Sequence, residues 1–438
     1  MIRTVGILFT IIVTSFYFFP FEFAFLPGVN TKMGMAGLGL VLSIVDMAKL
    51  RSPFLNKDFF QLSLLAIGVS LVSFFSITYN DTNDFTYVSY IISMWVWVGA
   101  SYVVVSLIRH VHGKASVILI CNYLIVVCAV QCILAILIDK VSSFEVLVNT
   151  FVSGLGFVEL DTLEKSGRLY GIGASLDVAG SRFAAVLVMI AFIVTHIEKM
   201  VVKKYLWLYM GAVVLIGVVG NMMSRTTTVG LILFIFYLIY ESRIWMFRLA
   251  SHVRKIFQWL LLVLLFAIPV LIYLYDTNDS IRENLRFAFE GFFSLIEKGE
   301  WDVHSNEILK NMVVFPDNLK TWFIGDGYLE NPYTDPYYVG PKWHGYYMGT
   351  DVGYLRFLFY FGVLGLIIFS FFMFWAGKIN IKKFKYERDL LWLLLLIHFI
   401  IWLKVSTDIF LIFALFLLVN QEENEKYNNS LLLSAENG

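Results

Sequence analysis

The chain has 438 residues, of which 59% are hydrophobic and only 15% are charged, and its mean hydropathy is +0.76. A soluble domain of this length needs more charge to cover its surface, so the composition excludes an ordinary water-soluble enzyme. The formal net charge is zero, which gives no reason to expect a nucleic acid or another polyanion as partner.

Apolar segments long enough to cross a bilayer as helices recur along the chain. In chain order we predict helices at about 5–20, 33–49, 58–78, 85–107, 115–138, 180–197, 204–221, 226–242, 256–275 and 351–376. The last apolar stretch, 389–420, is too long for one span and is interrupted at 404–408, so we divide it into two short helices. The predicted fold is an all-α polytopic membrane protein with about 12 transmembrane helices.

The distribution of lysine and arginine predicts the orientation of these helices. If the N-terminus is cytoplasmic, five short cytoplasmic loops contain 17 basic residues, whereas the opposite loop 79–84 contains none. Because basic loops are retained in the cytoplasm, both termini are predicted to be cytoplasmic.

Two predicted extracytoplasmic segments, 139–180 and 276–350, are too long to be simple turns. They divide the chain into three parts. Residues 1–275 contain nine helices and the first long loop, 276–350 form a large periplasmic loop, and 351–438 contain the last three helices and a cytoplasmic tail.

The large loop is predicted to be partly helical. Ser280 and Glu283 have the spacing of a capping box. Apolar residues follow at helical intervals from Ile281 to Ile296, which predicts an amphipathic helix on the membrane face. A second short helix is predicted near 306–314.

Arginines at the predicted outer helix ends are candidates for binding phosphate, since the planar guanidinium group pairs with phosphate oxygens and stays charged. Arg225 is the strongest candidate, because it lies in a very short turn between two apolar helices. Arg168, Arg182 and Arg356 lie near other outer helix ends. Anchoring of a helix end at the membrane surface is an alternative interpretation for Arg182 and Arg356.

The end of the large loop is rich in aromatic residues and carboxylates. Aromatic rings stack on the apolar faces of sugars, and carboxylates accept hydrogen bonds from sugar hydroxyls. An aromatic belt at the membrane interface is the alternative interpretation. The candidate sugar-binding residues are Trp322, Asp326, Tyr328, Trp343 and Tyr354.

Asp351 lies where the chain is predicted to re-enter the membrane, and a carboxylate there is costly unless it is paired or used. It is a candidate base for deprotonating an acceptor hydroxyl, or an ordinary residue at a helix start. His344 is a second candidate for the same role, with a structural or binding role as the alternative.

Three other ionisable residues receive structural interpretations. His398 lies in an apolar helix and is expected to be a core histidine with satisfied hydrogen bonds. Lys404 and Asp408 are expected to pair with each other or with nearby helices. The sequence contains no Walker loop, dinucleotide fingerprint or zinc-helix motif, so no metal or other cofactor is expected.

Three motifs occur in order along the chain and together resemble the O-antigen polymerase (Wzy) and O-antigen ligase (WaaL) superfamily. These motifs all lie between about residues 168 and 376. Ligase relatives typically have a His-Asn pair where this chain has Thr350-Asp351, so the polymerase branch is favoured and ligase is the alternative. The motifs are Arg168-Leu-Tyr-Gly171 with Asp177-Val-Ala-Gly180, then Ser224-Arg225-Thr226, then Trp322-Phe-Ile-Gly325-Asp-Gly327 with Thr350-Asp351-Val-Gly353-Tyr354 and Tyr360-Phe-Gly362-Val-Leu-Gly365.

The resemblance implies a metal-independent membrane glycosyltransferase with a GT-C-like fold in the bacterial inner membrane. Its substrates are oligosaccharide repeat units on undecaprenyl pyrophosphate, which it joins at the periplasmic face during lipopolysaccharide biosynthesis. Expected partners are these lipid-linked glycans, membrane lipids, a flippase and a chain-length regulator. A polysaccharide flippase or other transporter is a further alternative.

Combined with the resemblance, these residues give a catalytic hypothesis. Arg168, Arg225 and Arg182 bind the pyrophosphate, and Arg225 also stabilises the charge that develops as the glycosidic bond breaks. Asp351 or His344 orients or deprotonates the acceptor hydroxyl.

Overall fold

The computed structural model of the chain describes residues 2–50, 57–154, 168–196, 205–242, 251–332, 335, 338–341, 343 and 345–436. Its regular structure is almost entirely helical. The first half contains α1 Ile2–Phe18, α2 Thr31–Leu50, α3 Lys57–Asn80, α4 Tyr90–His112, α5 Val117–Lys140, α6 Ser142–Phe151, α7 Leu176–Thr195, α8 Leu206–Met223 and α9 Thr227–Ser242.

A short antiparallel pair of strands in the first half, β1 Glu22–Phe23 and β2 Val152–Gly154, joins the segments after α1 and α6.

The second half of the chain contains helices of widely different length. The helices are α10 Ser251–Thr277, α11 Asp279–Ala288, α12 Glu290–Lys298, α13 His304–Asn311, α14 Leu319–Phe323, α15 Gly353–Lys383, α16 Arg388–Ile401, α17 Phe410–Leu417 and α18 Gln421–Glu436.

Within the described residues, eight helices are long and apolar enough to cross a membrane. They are α2 to α5, α7, α8, α10 and α15, while α1 and α9 are shorter apolar helices. The all-helical, polytopic membrane character predicted from the sequence is therefore confirmed, whereas the total of about 12 spans and their orientation stay predictions.

Helices α7 and α10 show the two extremes of burial. Every residue of α7 from Ala179 to Thr195 is buried among neighbouring helices. Helix α10 packs mainly on α8, and Leu261, Leu265 and Phe266 are each about two-thirds exposed. An apolar helix with this exposure is expected to face lipid, since its side chains are unfavourable in water.

The predicted division of 389–420 is confirmed by two short helices, α16 and α17. Both ends of the pair lie together at one end of the bundle, because Lys383 donates to the Leu417 carbonyl at 2.8 Å and Asn424 donates to Glu387 at 3.0 Å. Helices α16 and α17 therefore form a hairpin whose tip, residues 402–409, lies at the other end.

The hairpin tip lies deep in the bundle. Tyr354, at the start of α15, donates its backbone N–H to the Trp402 carbonyl at 3.1 Å. Helix α17 has eight residues and is therefore about 12 Å long, well short of a hydrocarbon core of about 30 Å. The tip therefore lies against the start of α15, and neither arm of the hairpin is long enough to cross the hydrocarbon core by itself.

The turn before α4 explains why this helix begins at Tyr90 rather than at the predicted residue 85. Thr82 donates to the Gly327 carbonyl at 2.9 Å. The Asp84 carboxylate accepts backbone N–H groups of Leu329 and Glu330 at 2.7 and 2.9 Å. These contacts from a distant part of the chain hold the turn in a non-helical conformation.

The helices of the large loop differ from prediction in two details. The N-cap of α11 is Asn278, whose side chain accepts the Ile281 N–H at 3.1 Å, so the predicted capping box of Ser280 and Glu283 is wrong. The predicted amphipathic helix is divided at Phe289 into α11 and α12. The second predicted helix is present as α13.

Two of the sequence motifs contact each other directly. The backbone N–H groups of Asp326 and Gly327 donate to the carbonyls of Phe359 and Tyr360 at 2.5 and 3.1 Å, where α15 is kinked at Gly362. Gly362 has a φ of +67°, and a Cβ there would overlap the Phe323 carbonyl. The contact fixes the large loop against the start of α15.

Candidate functional site

A cavity of about 360 Å³ lies at the hairpin-tip end of the bundle, and we call it the central cavity. Its wall is formed by the first turns of α2, α4, α7 and α15, the hairpin tip, and parts of the large loop. Its aromatic lining includes Trp97 and Tyr346. Its charged lining residues are Lys32, Asp177, Arg182, Glu330, Asp351, Arg356 and Asp408.

Arg356 connects three elements of this wall through hydrogen bonds. Its guanidinium group donates to Ser406 of the hairpin tip at 2.6 Å, and to the Leu329 carbonyl and Glu330 of the large loop at 3.2 and 3.1 Å. It also lies 3.3 Å from the ring centroid of Tyr346. Because Arg356 is 6% exposed and held on several sides, it organises the cavity rather than anchoring a helix end in the membrane surface.

Asp351 lies in the wall of the central cavity, directly before α15. Burial raises the pKa of its carboxyl group above the ordinary value, and the negative charge of Asp177 adds to this shift. The positive charges of Arg356, Lys404 and Arg168 oppose it. A partly buried carboxylate with a raised pKa is a better proton acceptor than a solvated one.

A second cavity, of about 500 Å³, lies between the turn after α8 and the helices α11 to α13, and we call it the side cleft. Arg225 and Arg168 both lie against the ring of Phe287, with guanidinium carbons 4.0 and 4.8 Å from its centroid. Arg225 also donates to the Phe287 carbonyl at 2.9 Å and pairs with Glu290 at 2.7 Å.

Charged groups of both signs line the side cleft: the cations are Arg168, Arg225, Arg286 and Lys298, and the carboxylates are Glu290, Glu297 and Asp302. Burial lowers the pKa of Arg225, and the positive charge of Arg168 adds to this effect, whereas Glu290 opposes it. Two guanidinium groups near one ring repel each other, and an anion between them relieves that repulsion.

Asp177 joins the side cleft to the central cavity. One of its carboxylate oxygens accepts hydrogen bonds from Ser224 and Thr226 at 3.2 and 3.1 Å, and these residues flank Arg225. Lys404, in the hairpin tip, is close enough to Asp177 and Arg225 for their charges to act on it. Arg168, Arg225 and Asp351 therefore lie at one end of the bundle, in two adjoining cavities.

Arg182 lies apart from the other two predicted pyrophosphate ligands. It lines the central cavity, is 3% exposed, and donates to the Phe18 carbonyl. Its guanidinium carbon lies 5.6 and 5.4 Å from the ring centroids of Phe18 and Phe19. Arg182 therefore lines the central cavity, whereas Arg168 and Arg225 line the side cleft, and its predicted role in binding pyrophosphate stays a prediction.

Asp326, a candidate for sugar binding, is engaged within the protein. Its carboxylate accepts hydrogen bonds from Lys320 and Thr321, both at 2.7 Å, and from Tyr347 at 3.3 Å. These contacts hold the loop that docks on the α15 kink, and they favour a structural role for Asp326.

Trp322 and Tyr354 also make structural contacts. Trp322 donates to the Pro316 carbonyl at 2.9 Å and stacks on Phe315 with ring centroids 6.2 Å apart. The Tyr354 hydroxyl donates to the Phe399 carbonyl at 3.0 Å and so ties α15 to α16. Their sugar-binding roles stay predictions.

The remaining predicted residues lie in the outer part of the loop. Tyr328 lines a third cavity of about 240 Å³ and donates to Asp335 at 2.8 Å. Trp343 packs near Tyr347, with ring centroids 6.3 Å apart. His344 lies outside the described residues, so its candidate role stays a prediction.

Sequence reasoning missed or discounted several charged residues of the central cavity. Lys32 received no role, and Asp408 was discounted. The signal for Lys32 was a lysine in the first turn of an apolar helix, where a positive charge opposes the helix dipole. His398 is buried as predicted, but neither ring nitrogen has a hydrogen-bond partner among the described residues, so the expectation of satisfied hydrogen bonds is wrong.

Comparison with known proteins identifies no relative. No family model, no curated protein and no solved structure matches the chain. The membership of the polymerase family suggested by the motifs therefore stays a prediction.

Proposed function

We propose that the chain polymerises undecaprenyl-pyrophosphate-linked oligosaccharide repeat units into O-antigen-type polysaccharide at the periplasmic face of the bacterial inner membrane. The observation that carries the proposal is the pair of arginines, Arg168 and Arg225, on one ring of the side cleft, next to a cavity lined by Asp351. Glycosyl transfer from a lipid diphosphate needs cations for the leaving group and a base for the acceptor.

In this proposal the donor diphosphate binds in the side cleft. Guanidinium groups of Arg168 and Arg225 stabilise the charge that accumulates on the diphosphate as it leaves, which is often the largest catalytic contribution. The cleft is lined by α11 and α12, which directly follow the exposed helix α10. A polyprenyl chain beside α10 stays in lipid while its diphosphate reaches the cleft.

The acceptor sugar binds in the central cavity. Its hydroxyl group transfers a proton to the Asp351 carboxylate, and its oxygen forms a bond to the anomeric carbon of the donor. The bond from that carbon to the diphosphate breaks, and the bonding electrons leave with undecaprenyl pyrophosphate. No protein nucleophile or metal takes part in this step.

The test is reconstitution of the purified protein in liposomes with lipid-linked repeat units. We expect glycans longer than one repeat unit, separated as a ladder, and no ladder from liposomes without the protein. A deletion strain should carry single repeat units on its lipopolysaccharide. Unattached polymer in that strain would instead indicate the ligase alternative, and unchanged glycan length in liposomes would contradict polymerisation.

A transporter is the second candidate, because one observation favours it. The α16–α17 hairpin carries the charged residues Lys404 and Asp408 at its tip, and charged residues inside a helical bundle are typical of the pathways of transporters. Movement of lipid-linked glycan between leaflets without lengthening, measured in the same liposomes, would favour this alternative.

A further inference from the structure

Lys32 makes an unusual set of contacts in the central cavity. It is 7% exposed and lies in the first turn of α2, where a positive charge is unfavourable. Its ammonium group lies 4.4 Å from the ring centroid of Trp97. It forms no hydrogen bond or ion pair with any described residue, although it has three donors and lines the cavity.

Asp408 lies on the same wall of the cavity with unused acceptor capacity. One carboxylate oxygen accepts the Phe410 N–H at 2.9 Å, and no described residue donates to the other oxygen. Lys32 and Arg182 are close enough for their charges to act on this carboxylate, yet neither forms an ion pair with it in the described part of the chain. An ammonium group and a carboxylate thus face one space without pairing.

Lys32 and Asp408 belong to a cavity large enough for a small ligand. Trp97 is about 10 Å along α4 from its first residue, Tyr90, while Asp351 and Arg356 lie at the start of α15. The cavity volume of about 360 Å³ falls within the range of about 300–1,000 Å³ that small-molecule sites occupy. The cavity therefore has the space and the unpaired groups of a binding subsite.

A sugar with two neighbouring hydroxyl groups fits these groups chemically. A hydroxyl oxygen accepts from the Lys32 ammonium, and a hydroxyl proton is donated to the Asp408 carboxylate. Both hydrogen bonds involve a charged group, which makes them stronger than bonds between neutral groups. We infer that Lys32 and Asp408 form a sugar subsite that holds the terminal sugar of the acceptor glycan, with Trp97 positioning Lys32.

A sugar is assigned as the ligand because the inference rests on the proposed function. The experiment distinguishes failure of the subsite from failure of the polymerase proposal. The protein is reconstituted in nanodiscs with lipid-linked repeat units as donor and a fluorescently tagged free repeat-unit oligosaccharide as acceptor. Asp408→Asn keeps the side-chain shape and the acceptor for Phe410, so it preserves the hairpin. We expect Asp408→Asn and Lys32→Met each to raise the KM for the tagged acceptor about tenfold, with the donor KM unchanged.

Two matched controls lie at the opposite end of the bundle. Lys378 lies over Trp375 at 4.5 Å, which reproduces the Lys32–Trp97 contact outside the cavity. Asp389, in the first turn of α16, is exposed. Lys378→Met and Asp389→Asn should leave the acceptor KM at its wild-type value.

Equilibrium binding of the tagged oligosaccharide, measured by fluorescence polarisation, needs no turnover. If the wild type binds the oligosaccharide about tenfold more tightly than Asp408→Asn but never elongates it, the subsite stands and the polymerase proposal fails. If the wild type does not bind it, or if Asp408→Asn binds it equally well, the subsite is overturned whatever the activity.

Discussion

Arginines line both the central cavity and the side cleft, but Arg356 in the first and Arg225 in the second are held differently. Arg356 contacts the hairpin tip, the large loop and the ring of Tyr346, so it joins separate elements into one wall. The known contacts of Arg225 include the Phe287 carbonyl and the Glu290 carboxylate, an acceptor that a diphosphate can replace. Because Arg356 is the more buried and joins the hairpin tip to the large loop, its contacts favour an architectural role, whereas the more exposed Arg225 is better placed to meet a ligand.

The largest effect is expected in the central cavity, at the proposed base. Asp351→Asn removes the proton acceptor while keeping the side-chain shape, so polymerisation in liposomes should fall about 1,000-fold. Asp279→Asn, on the exposed surface of α11, is the matched control and should retain activity. Wild-type activity in Asp351→Asn would assign the proton transfer to another group.

In the side cleft, Arg225→Ala should reduce the rate about 100-fold, because a cation for the leaving diphosphate is lost. Arg225→Lys should recover part of this rate, since a lysine keeps the charge but not the planar fork. Arg282→Ala removes an exposed arginine of α11 and serves as control. A normal glycan ladder in both Arg225 variants would remove Arg225 from the mechanism.

The pH dependence of the polymerisation rate should reflect the ionisation of Asp351 in the central cavity rather than a group of the side cleft. The proposed base acts as a carboxylate, and burial and Asp177 raise the pKa of Asp351. The rate should therefore fall about tenfold per pH unit as the pH drops below that raised pKa. Residual activity in Asp351→Asn should lack this acid limb, and an identical acid limb in the variant would contradict the assignment.

Replacing Arg356 should affect stability before chemistry. Arg356→Met breaks a buried network, so we expect a loss of about 3 kcal/mol and an apparent Tm lower by several degrees. Arg286→Met removes an exposed pair with Glu297, so we expect almost no change in its Tm. Equal Tm values for the two variants would show that burial does not distinguish these arginines.

The smallest effect is expected for the carboxylate that occupies Arg225. Glu290→Gln removes a negative charge that competes with the diphosphate, so the donor KM should fall about threefold. Steady-state kinetics with lipid-linked repeat units measures this change. A rise in the donor KM would mean that Glu290 positions Arg225 for the ligand.

Sequence patterns predicted the features that local chemistry determines. The charged interruption at Lys404 and Asp408 predicted the division into α16 and α17, and the short turn around Arg225 singled out this residue. That Lys32 and Asp408 line the same cavity was not predictable, because these residues come from elements that meet only in the folded bundle. Asp326 carried the correct residue type for sugar binding, but its neighbours in space take up its carboxylate.

The position of the hairpin tip has a consequence for the competition between glycosyl transfer and hydrolysis of the lipid-linked donor. Residues 405–408 of the hairpin tip line the central cavity beside the start of α15. In the proposed reaction, a sugar that fills the central cavity displaces water that would otherwise attack the anomeric carbon of the donor. In that reaction, the filled central cavity favours chain growth over the release of free glycan by hydrolysis.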